Sequence, residues 1–480
     1  MSVPVTDLLR ILPELVLAAF GTLIVLVEPF LRRTQKSLTG YIALIGALLA
    51  LLSTLAPAMY PGPAFNGLVL VDGFSIFFHF LLLMITTLTI VASFRYLERE
   101  GLPQGEFYAL LLFATIGMGL MASGNELVLV FLGLETVSIA TYVLVGFRRT
   151  AVRSNEAAMK YFLLGSFATA FMLYGIALLF GATGTTFLPD IARQLAEGGG
   201  MRTLALMGMG LLFVGLGFKL ALVPFQAWVP DVYEGAPTPV TAFLSAGPKA
   251  AVLAAFLRIF FTALEPLSGS WVWVIWATAI LTMCIGNLGA LMQDNIKRML
   301  AYSSIAHAGY ILIAFAAHSE LGIAAVLFYL VAYALMKLGA FSIVSHVSAG
   351  EAHQSIDDYA GLHARHPLLA ACLTVFMLSL IGIPLTGGFF GKLYIFTAGI
   401  DANLMGLVIV GVVNSALSAA YYLRVVKVMY MNEPQGNPAT VPVPASLVFV
   451  LTLTVLGTIG LGVFPSPILQ FAQQSVLPLP

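Results

Sequence analysis

Four ionisable side chains lie inside long apolar stretches of this sequence, where a charge is costly. Glu135 occupies the middle of one stretch, and Lys219, Lys249 and Lys392 occupy three others. Burial disfavours the charged form of an amine and a nearby carboxylate favours it, so a buried lysine that gains or loses such a neighbour can bind or release a proton. The four residues therefore predict proton transfer within a membrane, with Glu135 as the partner of Lys219.

Each of these lysines lies near a proline that is expected to break its helix. The pairs are Lys219 with Pro224, Lys249 with Pro248, and Lys392 with Pro384. Proline removes a helical hydrogen bond and clashes with the preceding turn, and broken backbone at membrane depth must be enclosed by protein or line a wet cavity. For a single lysine, snorkelling from a helix end or a structural ion pair is an equal alternative. Three amines beside three breaks favour a wetted proton path over that alternative.

Three further groups in apolar stretches are weaker candidates for the same path. Lys337 and His307 lie deep in two predicted helices and could extend the chain of titratable groups, although a hydrogen-bonded core histidine is an equal alternative for His307. Lys160 lies near the end of its helix, where proton transfer and snorkelling are both open. Glu14 and His79, by contrast, are interpreted as an interfacial residue and a packing residue.

The composition requires a membrane environment for most of the chain. Of the 480 residues, 60% are apolar or aromatic and 9% are charged, far from the proportions of a soluble globular protein. Uncharged runs of about 20 residues, the length that spans a bilayer as a helix, recur about fourteen times. We therefore predict an all-α integral membrane protein with about fourteen transmembrane helices and no separate soluble domain.

The basic residues predict the orientation of these helices. Lys and Arg concentrate in the connections that follow odd-numbered helices. Connections rich in Lys and Arg face the cytoplasm. We therefore expect both termini to lie on the non-cytoplasmic side of the membrane.

The positions of the proline breaks predict an internal repeat. Helix 7 is interrupted at residues 223–230 and helix 12 at residues 382–388. If helices 4–8 and 9–13 form two five-helix units, the interrupted helix is the fourth in each, and the odd number of helices makes the two units inverted. The predicted divisions are an N-terminal three-helix segment at 1–100, repeats at 105–265 and 269–432, and a last helix at 440–480.

Charge and cysteine content exclude several classes of function. The chain has 22 basic and 22 acidic residues, so no basic surface indicates nucleic-acid binding. Cys284 and Cys372 show no metal-ligand spacing, and we find no iron–sulfur, flavin or NADH motif. A haem protein would need facing histidines, and only His79 and His307 lie deep, in distant helices. A structural scaffold is disfavoured by the cost of the buried amines.

A long motif at residues 217–243, GFKLALVPFQAWVPDVYEGAPTPVTAF, resembles a family signature. It is similar to the signature of the antiporter-like subunits of proton-translocating NADH:quinone oxidoreductase, respiratory complex I. Residues 231–239 are most similar to the subunit N branch, and residues 301–310 and 382–389 also resemble the family. Sister subunit M typically has glutamate where this chain has Lys392. The resemblance covers essentially the whole chain.

The resemblance implies roles for individual residues. It implies a fourteen-helix subunit with two inverted five-helix repeats joined by a central polar axis. Glu135 would modulate Lys219, Lys249 would pass the proton centrally, and Lys392 would be the exit-side group. One position departs from the family pattern: the chain has Gln226 where the family usually has histidine, so no gating histidine is expected there.

The resemblance also implies a cellular location, cofactors and partner subunits for this chain. It implies a non-redox subunit that translocates protons in the bacterial inner membrane. NADH, FMN, iron–sulfur clusters and the quinone, such as ubiquinone, would be handled by partner subunits, with no cofactor in this chain. The expected membrane neighbours resemble subunits M and K, which connect to the peripheral NADH-oxidising arm. The alternative is a subunit of a multi-subunit sodium/proton antiporter, which shares this fold.

Overall fold

The computed structural model describes residues 4–32, 35–198, 201–433 and 442–477. The ends of the predicted units 1–100 and 440–480 therefore lie outside the described residues, at 1–3, 440–441 and 478–480. The described chain is mainly helical, with one antiparallel hairpin of strands β1 (Gly62–Ala64) and β2 (Val69–Val71), in which Gly62 is opposite Val71. The all-α architecture predicted from the composition is confirmed.

The membrane helices are numbered α1 to α14 in chain order, and α7 and α12 each consist of two pieces, a and b. They are α1 Leu12–Val27, α2 Leu38–Ser53, α3 Gly73–Glu100, α4 Gln104–Ser123, α5 Leu127–Val145, α6 Val152–Thr183, α7a Arg202–Leu220, α7b Trp228–Gly235, α8 Thr238–Arg258, α9 Ser268–Leu291, α10 Ile296–Ala316, α11 Glu320–Val347, α12a Pro367–Ile381, α12b Gly387–Asp401, α13 Met405–Met431 and α14 Ala445–Val463. Short helices and turns of helix complete the described structure, at Val5–Arg10, Glu28–Phe30, Leu55–Met59, Leu188–Ala196, Ile259–Ala263, Glu265–Leu267, Ala349–Glu351, Ile356–Tyr359, Leu362–Arg365 and Ser466–Gln474.

Thirteen helices of the described chain are long and apolar enough to cross a membrane. The predicted twelfth span is absent from that set because it is divided into α12a and α12b, each of 15 residues. A span needs about 20 residues, so neither half crosses the bilayer alone. The thirteen long apolar helices make the chain a multi-pass membrane protein.

The two interruptions occur at short segments with unusual backbone. In α7, the helix stops at Leu220 and resumes at Trp228, and Ala221 adopts a left-handed conformation with φ 63°. In α12, the helix stops at Ile381 and resumes at Gly387, and Gly382 has φ 94°. Carbonyl groups of the last helical turn lose their intrahelical partners at such stops.

The break predicted at Pro248 is wrong, because α8 is continuous through this proline. Pro248 has no N–H to donate to the carbonyl of Leu244, one turn earlier. Such a loss is tolerated inside a membrane bundle where neighbouring helices and water can satisfy the freed group. The amine of Lys249 therefore lies on an intact helix and not beside a helix end.

The helices divide into a buried centre and an exposed periphery. The most apolar window of α8 is 100% buried, and those of α10 and α11 are 94% and 89% buried, against 28% for α1 and 33% for α2. Helix α11 packs against α8, α10, α12b and α14. The polar groups on α8, α10 and α11 therefore face protein, and they form the middle of the candidate site.

Candidate functional site

Four buried lysines converge on the centre of the bundle from four different helices. They are Lys219 on α7a, Lys249 on α8, Lys337 on α11 and Lys392 on α12b, with exposed fractions of 8%, 5%, 0% and 4%. A buried ammonium needs hydrogen-bond acceptors or aromatic faces to offset its desolvation. The groups that supply them define the site.

Lys219 lies in an aromatic enclosure next to the break in α7. Its Nζ donates to the Tyr142 hydroxyl at 3.2 Å and lies 4.8 Å from the ring centroids of both Tyr142 and Tyr161. Trp228, the first residue of α7b, stacks on Tyr161 at 4.5 Å and donates its indole N–H to the Phe218 carbonyl. The aromatic faces stabilise a cation, and the stack ties α7b to the position of the amine.

Glu135 is the predicted partner of Lys219, but the two side chains are not within ion-pair distance in this structure. Lys219 donates to Tyr142, which lies seven residues after Glu135 on α5, and one carboxylate oxygen of Glu135 is buried without a hydrogen-bond partner among the described residues. Seven residues are two helical turns, or about 10 Å along the axis. Glu135 and Tyr142 thus lie two turns apart on the same face of α5, and the Lys219 amine contacts Tyr142.

A small cavity connects the Lys219 enclosure to α8. It has a volume of about 10 Å³ and is lined by Leu134, Lys219, Trp228, Leu244 and Pro248, among others. A volume of this size holds roughly one water molecule. The cavity reaches α8 at Leu244, Pro248 and Val252, the helix face next to the one that carries Lys249.

Lys249 begins a hydrogen-bonded network on α10 and α11. Its Nζ donates to the Ser304 hydroxyl at 2.6 Å and to the Ser304 carbonyl at 3.1 Å. The Ser304 hydroxyl also shares a 2.7 Å hydrogen bond with the Tyr333 hydroxyl. The central amine is therefore connected to two hydroxyl groups that can both donate and accept a proton.

Lys337 begins a second network, which starts at the serine next to Ser304 on α10. Its Nζ donates to the Leu300 carbonyl and the Ser303 hydroxyl, each at 2.9 Å, and Ser303 hydrogen-bonds the Tyr422 hydroxyl of α13. Tyr422 lies 3.1 Å from Nε2 of His307. Since Ser303 and Ser304 are adjacent on α10, the networks of the two lysines meet at one turn of this helix.

His307 links two tyrosines in the second network. Both of its ring nitrogens are hydrogen-bonded to tyrosine hydroxyls, Nδ1 to Tyr329 and Nε2 to Tyr422. A neutral imidazole donates from one nitrogen and accepts at the other, and each hydroxyl can take either role. The arrangement can therefore reverse its direction of hydrogen bonding, which is the property that a proton relay requires.

Lys392 bridges the two halves of α12. Its Nζ donates to the carbonyls of Leu380 and Ile381 at 3.0 and 2.8 Å and to the Ser415 hydroxyl at 2.8 Å. These carbonyls belong to the last turn of α12a. The amine also lies 4.7 Å from the centroid of the Tyr310 ring, and Tyr310 is in edge contact with His307 at 5.6 Å. Lys392 is thus linked to the central network through aromatic contact.

Lys160 is not part of this buried chain. Its Nζ lies 2.7 Å from Glu156 and 2.9 Å from Asp231, and 42% of its side chain is exposed. It lines a polar surface cavity of about 240 Å³ together with Asp231, Glu234 and Arg298. The sequence placed Lys160 among the proton-transfer candidates, whereas its position is that of a solvated ion pair near a helix end.

A cluster of charges at the start of α10 holds the second piece of α7. Arg298 Nη1 lies 2.8 Å from both Asp231 and Glu234 of α7b. The Lys297 amine donates to the Ala236 carbonyl at the end of α7b, at 2.7 Å. The amine of Lys297 also lies 3.0 Å from Glu351, in the connection after α11. The cluster therefore fixes α7b, and with it Trp228, from the second predicted repeat.

Sequence reasoning missed the uncharged members of the site. The tyrosines and serines that connect the lysines are Tyr142, Tyr310, Tyr329, Tyr333, Tyr422, Ser303 and Ser304. Two signals were available: adjacent serines precede His307 by three and four residues in an apolar run, and Tyr329 and Tyr333 have the spacing of one helix face. Asp231 and Glu234 of α7b are part of the motif at residues 217–243, but the sequence does not show that they pair with Arg298 of α10.

No metal centre is found in the described ranges of the chain. These residues contain no group of three or more His, Cys, Asp or Glu side chains placed to hold a metal ion. Cys284 and Cys372 are free thiols. The buried polar groups of the site are amines, hydroxyls and one imidazole.

Comparison with known proteins agrees with this architecture. Residues 124–418 match the family described as NADH:quinone oxidoreductase/Mrp antiporter, TM. NADH-quinone oxidoreductase subunit N 1 of Solibacter usitatus (strain Ellin6076) is 50% identical over 471 residues, which cover 98% of this chain and 97% of that protein. The chain belongs to the subunit N family of NADH-quinone oxidoreductase. The subunit N assignment predicted from the motif is confirmed.

Solved structures show that the subunit N fold recurs in large membrane complexes. A chain of respiratory complex I from Thermus thermophilus, solved with bound aureothin, has a TM-score of 0.81 and 36% identity, and the match covers 96% of this chain and 99% of that one. A chain of the Mrp complex from Dietzia sp. DQ12-45-1b has a TM-score of 0.85 at 21% identity, over 98% and 97% of the two chains. The second likeness concerns the fold alone.

Proposed function

We propose that this chain is a proton-translocating, non-redox membrane subunit of NADH-quinone oxidoreductase. The observation that carries the proposal is a pair of hydrogen-bonded networks at adjacent serines of α10, between the interruptions of α7 and α12. One runs from Lys249 to Ser304, and the other runs from Lys337 through Ser303 and Tyr422 to His307. Membership of the subunit N family supports it, because the relative from Solibacter usitatus carries that name at 50% identity.

The geometry supports a sequence of proton transfers through the bundle. Lys219 binds a proton within its aromatic enclosure, and Glu135 modulates this amine when movement at the α7 break changes their separation. The proton passes through the water-sized cavity beside Pro248 to Lys249. A proton that enters a chain of hydroxyls at one end causes another to leave at the far end, because each hydroxyl both donates and accepts. Protons therefore move past Ser304 without any hydroxyl becoming charged for long.

The second half of the path leads from the centre to Lys392. Lys337 and His307 extend the network on α10 and α11, and Lys392 is the exit-side group. A shift of one pKa unit in such an amine is worth about 1.4 kcal/mol, and one charge crossing about 100 mV involves about 2.3 kcal/mol. Changes of a few units in the pKa of these amines during turnover are therefore sufficient to move a proton against a membrane potential.

The inverted repeat is part of the proposal. The interrupted helix is the fourth in α4–α8 and again the fourth in α9–α13, which supports units at 105–265 and 269–432. The N-terminal segment 1–100 and the last helix, within 440–480, flank them. Interrupted helices in corresponding positions of two repeats are a feature of transport sites.

The proposal places this subunit in a multi-subunit complex of the bacterial inner membrane, with both termini on the non-cytoplasmic side. Its neighbours resemble subunits M and K. NADH, FMN, iron–sulfur clusters and quinone belong to other chains of the complex. The aligned complex I chain from Thermus thermophilus supports assembly into such a complex.

The test is the replacement of the central amine in the assembled complex. Lys249→Met removes the charge and keeps most of the volume, and proton uptake per NADH oxidised is measured in reconstituted vesicles. Lys36→Met is the matched control, since Lys36 is 36% exposed and pairs with Glu28 at the end of α1. We expect Lys249→Met to lower the protons moved per NADH and Lys36→Met to leave the ratio unchanged. An unchanged ratio in Lys249→Met would refute the assignment.

The alternative, a subunit of a multi-subunit sodium/proton antiporter, is less well supported. The aligned Mrp chain is 21% identical, whereas the named subunit N relative is 50% identical over nearly the whole chain. Sodium-driven proton exchange in vesicles that lack NADH and quinone would favour the antiporter.

A further inference from the structure

A buried carboxylate and a buried imidazole meet outside the lysine chain. Glu14 Oε1 on α1 lies 2.5 Å from His79 Nε2 on α3. The two residues are 6% and 8% exposed. They lie in the N-terminal three-helix segment, which precedes residues 124–418 of the family match. The sequence alone indicates an interfacial role for Glu14 and a packing role for His79, but in the structure the two side chains are partners.

The second nitrogen of His79 determines how many protons the pair holds. His79 Nδ1 lies 2.7 Å from the Ser75 carbonyl oxygen, which can only accept, so Nδ1 carries a proton. At Nε2, either the imidazolium donates to a carboxylate or the carboxylic acid donates to the imidazole. Both arrangements place one proton between Nε2 and Oε1 and give the pair no net charge. Without that proton, two lone pairs would face each other at 2.5 Å.

The other oxygen of the carboxylate points to a place for water. Glu14 Oε2 is buried and has no hydrogen-bond partner among the described residues. A cavity of about 10 Å³ adjoins the pair and is lined by Glu14, His79, Thr115 and Gly119, among others. This volume holds roughly one water molecule, which would hydrogen-bond to Oε2 and carry protons to or from the pair.

The structure of α4 is adapted to the presence of the pair. A Cβ at Gly119 would lie 2.5 Å from Glu14 Oε1 and 3.1 Å from His79 Nε2, so only glycine lets α4 close over them. Asp72, before the first residue of α3, also acts electrostatically on His79, and it is paired with Arg258 at the end of α8. The Arg258 guanidinium donates to both oxygens of Asp72 at 2.9 Å. Those two charges neutralise each other, and α4 contributes the uncharged Thr115.

We propose that Glu14 and His79 form a proton-binding site separate from the lysine chain. The site holds one proton between Oε1 and Nε2, and its deprotonation transfers that proton to water in the adjoining cavity and leaves one net negative charge on the pair. The ligand of the site is thus a single proton, exchanged at the membrane end where α1 and α3 begin.

The test is an infrared difference spectrum of the assembled complex between acidic and alkaline pH. The variant Glu14→Gln keeps a hydrogen bond to His79, because its amide can donate to Nε2, but cannot release the shared proton. Glu28→Gln, at the opposite end of α1, is the matched control. We expect one carboxyl signal of the parent complex to be lost in Glu14→Gln and retained in Glu28→Gln, with one fewer proton released per complex.

A second variant makes the proposal testable even if Glu14→Gln fails to assemble. In His79→Gln the carboxylate remains without an imidazole, so the Glu14 signal should persist and shift to a different pH. Either of two results would overturn the proposal. One is a parent complex that shows no Glu14 signal across the whole pH range in which it stays assembled. The other is a Glu14 signal with the same pH midpoint in the parent complex and in His79→Gln. Neither readout depends on proton pumping.

Discussion

The Lys392 amine lies 2.8 Å from the Ile381 carbonyl oxygen, across the interruption of α12. The side chain that is proposed to carry the proton at the exit side therefore also caps the helix piece that the interruption leaves open. A capping amine that releases its proton still donates to a carbonyl, but it loses the charge that strengthens such bonds. Protonation of Lys392 and the geometry of the break are thus coupled through the same contact.

Removal of this cap should weaken both stability and pumping. In Lys392→Met, the Leu380 and Ile381 carbonyls lose a buried donor, and one unsatisfied buried group costs about 1–3 kcal/mol. We expect a lower thermal midpoint of the complex together with fewer protons moved per NADH. Ser415→Ala removes a hydroxyl that accepts from the amine and donates to the Ile381 carbonyl. Because it leaves the charged amine on both carbonyls, it should have the smaller effect on each measurement. Equal effects of the two variants would contradict the capping role.

The hydroxyl of Tyr142 should matter separately from its ring. Tyr142→Phe removes the acceptor for Lys219 and keeps the aromatic face that lies 4.8 Å from the amine. A buried hydrogen bond contributes about 0.5–1.5 kcal/mol, so we expect a moderate loss of proton transfer. Tyr142→Leu removes the aromatic face as well and should cause a larger loss. The protons moved per NADH in the two variants provide the comparison, and equal values would show that the hydroxyl alone matters.

The cluster that holds α7b should control Lys219 from a distance. Arg298→Gln removes the guanidinium that bridges Asp231 and Glu234, so α7b and its Trp228 are less firmly held. We expect lower proton transfer although no buried lysine is changed. Arg153→Gln is the control, because Arg153 is 78% exposed and makes a longer contact of 3.6 Å with Glu234. Normal proton transfer in Arg298→Gln would show that the cluster does not position α7b.

The Glu351 carboxylate should make the stability of the complex depend on pH. Burial by itself raises the pKa of Glu351. The Lys297 amine and hydrogen bonds from Tyr96, Thr238 and Lys297 have the opposite and larger effect, so that the pKa lies below its ordinary value. A carboxyl whose pKa is lowered by folding stabilises the protein above its unfolded-state pKa, and the stabilisation is lost as the pH falls through the folded-state value.

The variant Glu351→Gln tests this contribution. Loss of one partner of a buried ion pair costs about 3–5 kcal/mol, so the variant should unfold at a lower temperature than the parent at neutral pH. Thermal unfolding across pH should show the difference shrinking as the pH falls below the ordinary carboxyl pKa. Glu106→Gln, which removes an exposed ion pair with Arg149, should change little at any pH. A difference for Glu351→Gln that is independent of pH would contradict the assignment.

The sequence alone was sufficient for the all-α membrane architecture, the interruptions near Pro224 and Pro384, and the burial of the lysines at 219, 249, 337 and 392. These features depend on local properties, because hydrophobic length and proline chemistry act within a short segment. The break at Pro248 was wrongly predicted, since proline inside a fully buried helix can be accommodated by its neighbours. That tolerance depends on tertiary packing and leaves no local signal.

Tertiary structure alone decided which polar groups meet. Lys219 donates to Tyr142 instead of pairing with Glu135, and Lys160 pairs with Asp231 at the surface. Glu14 and His79, 65 residues apart, form one buried pair. Hydropathy shows that a charge is buried, but the partner of that charge is fixed by the rotation and depth of two helices packed side by side. Those quantities follow from the packing of the whole bundle, so the contacts between the polar groups are decided only by the tertiary structure.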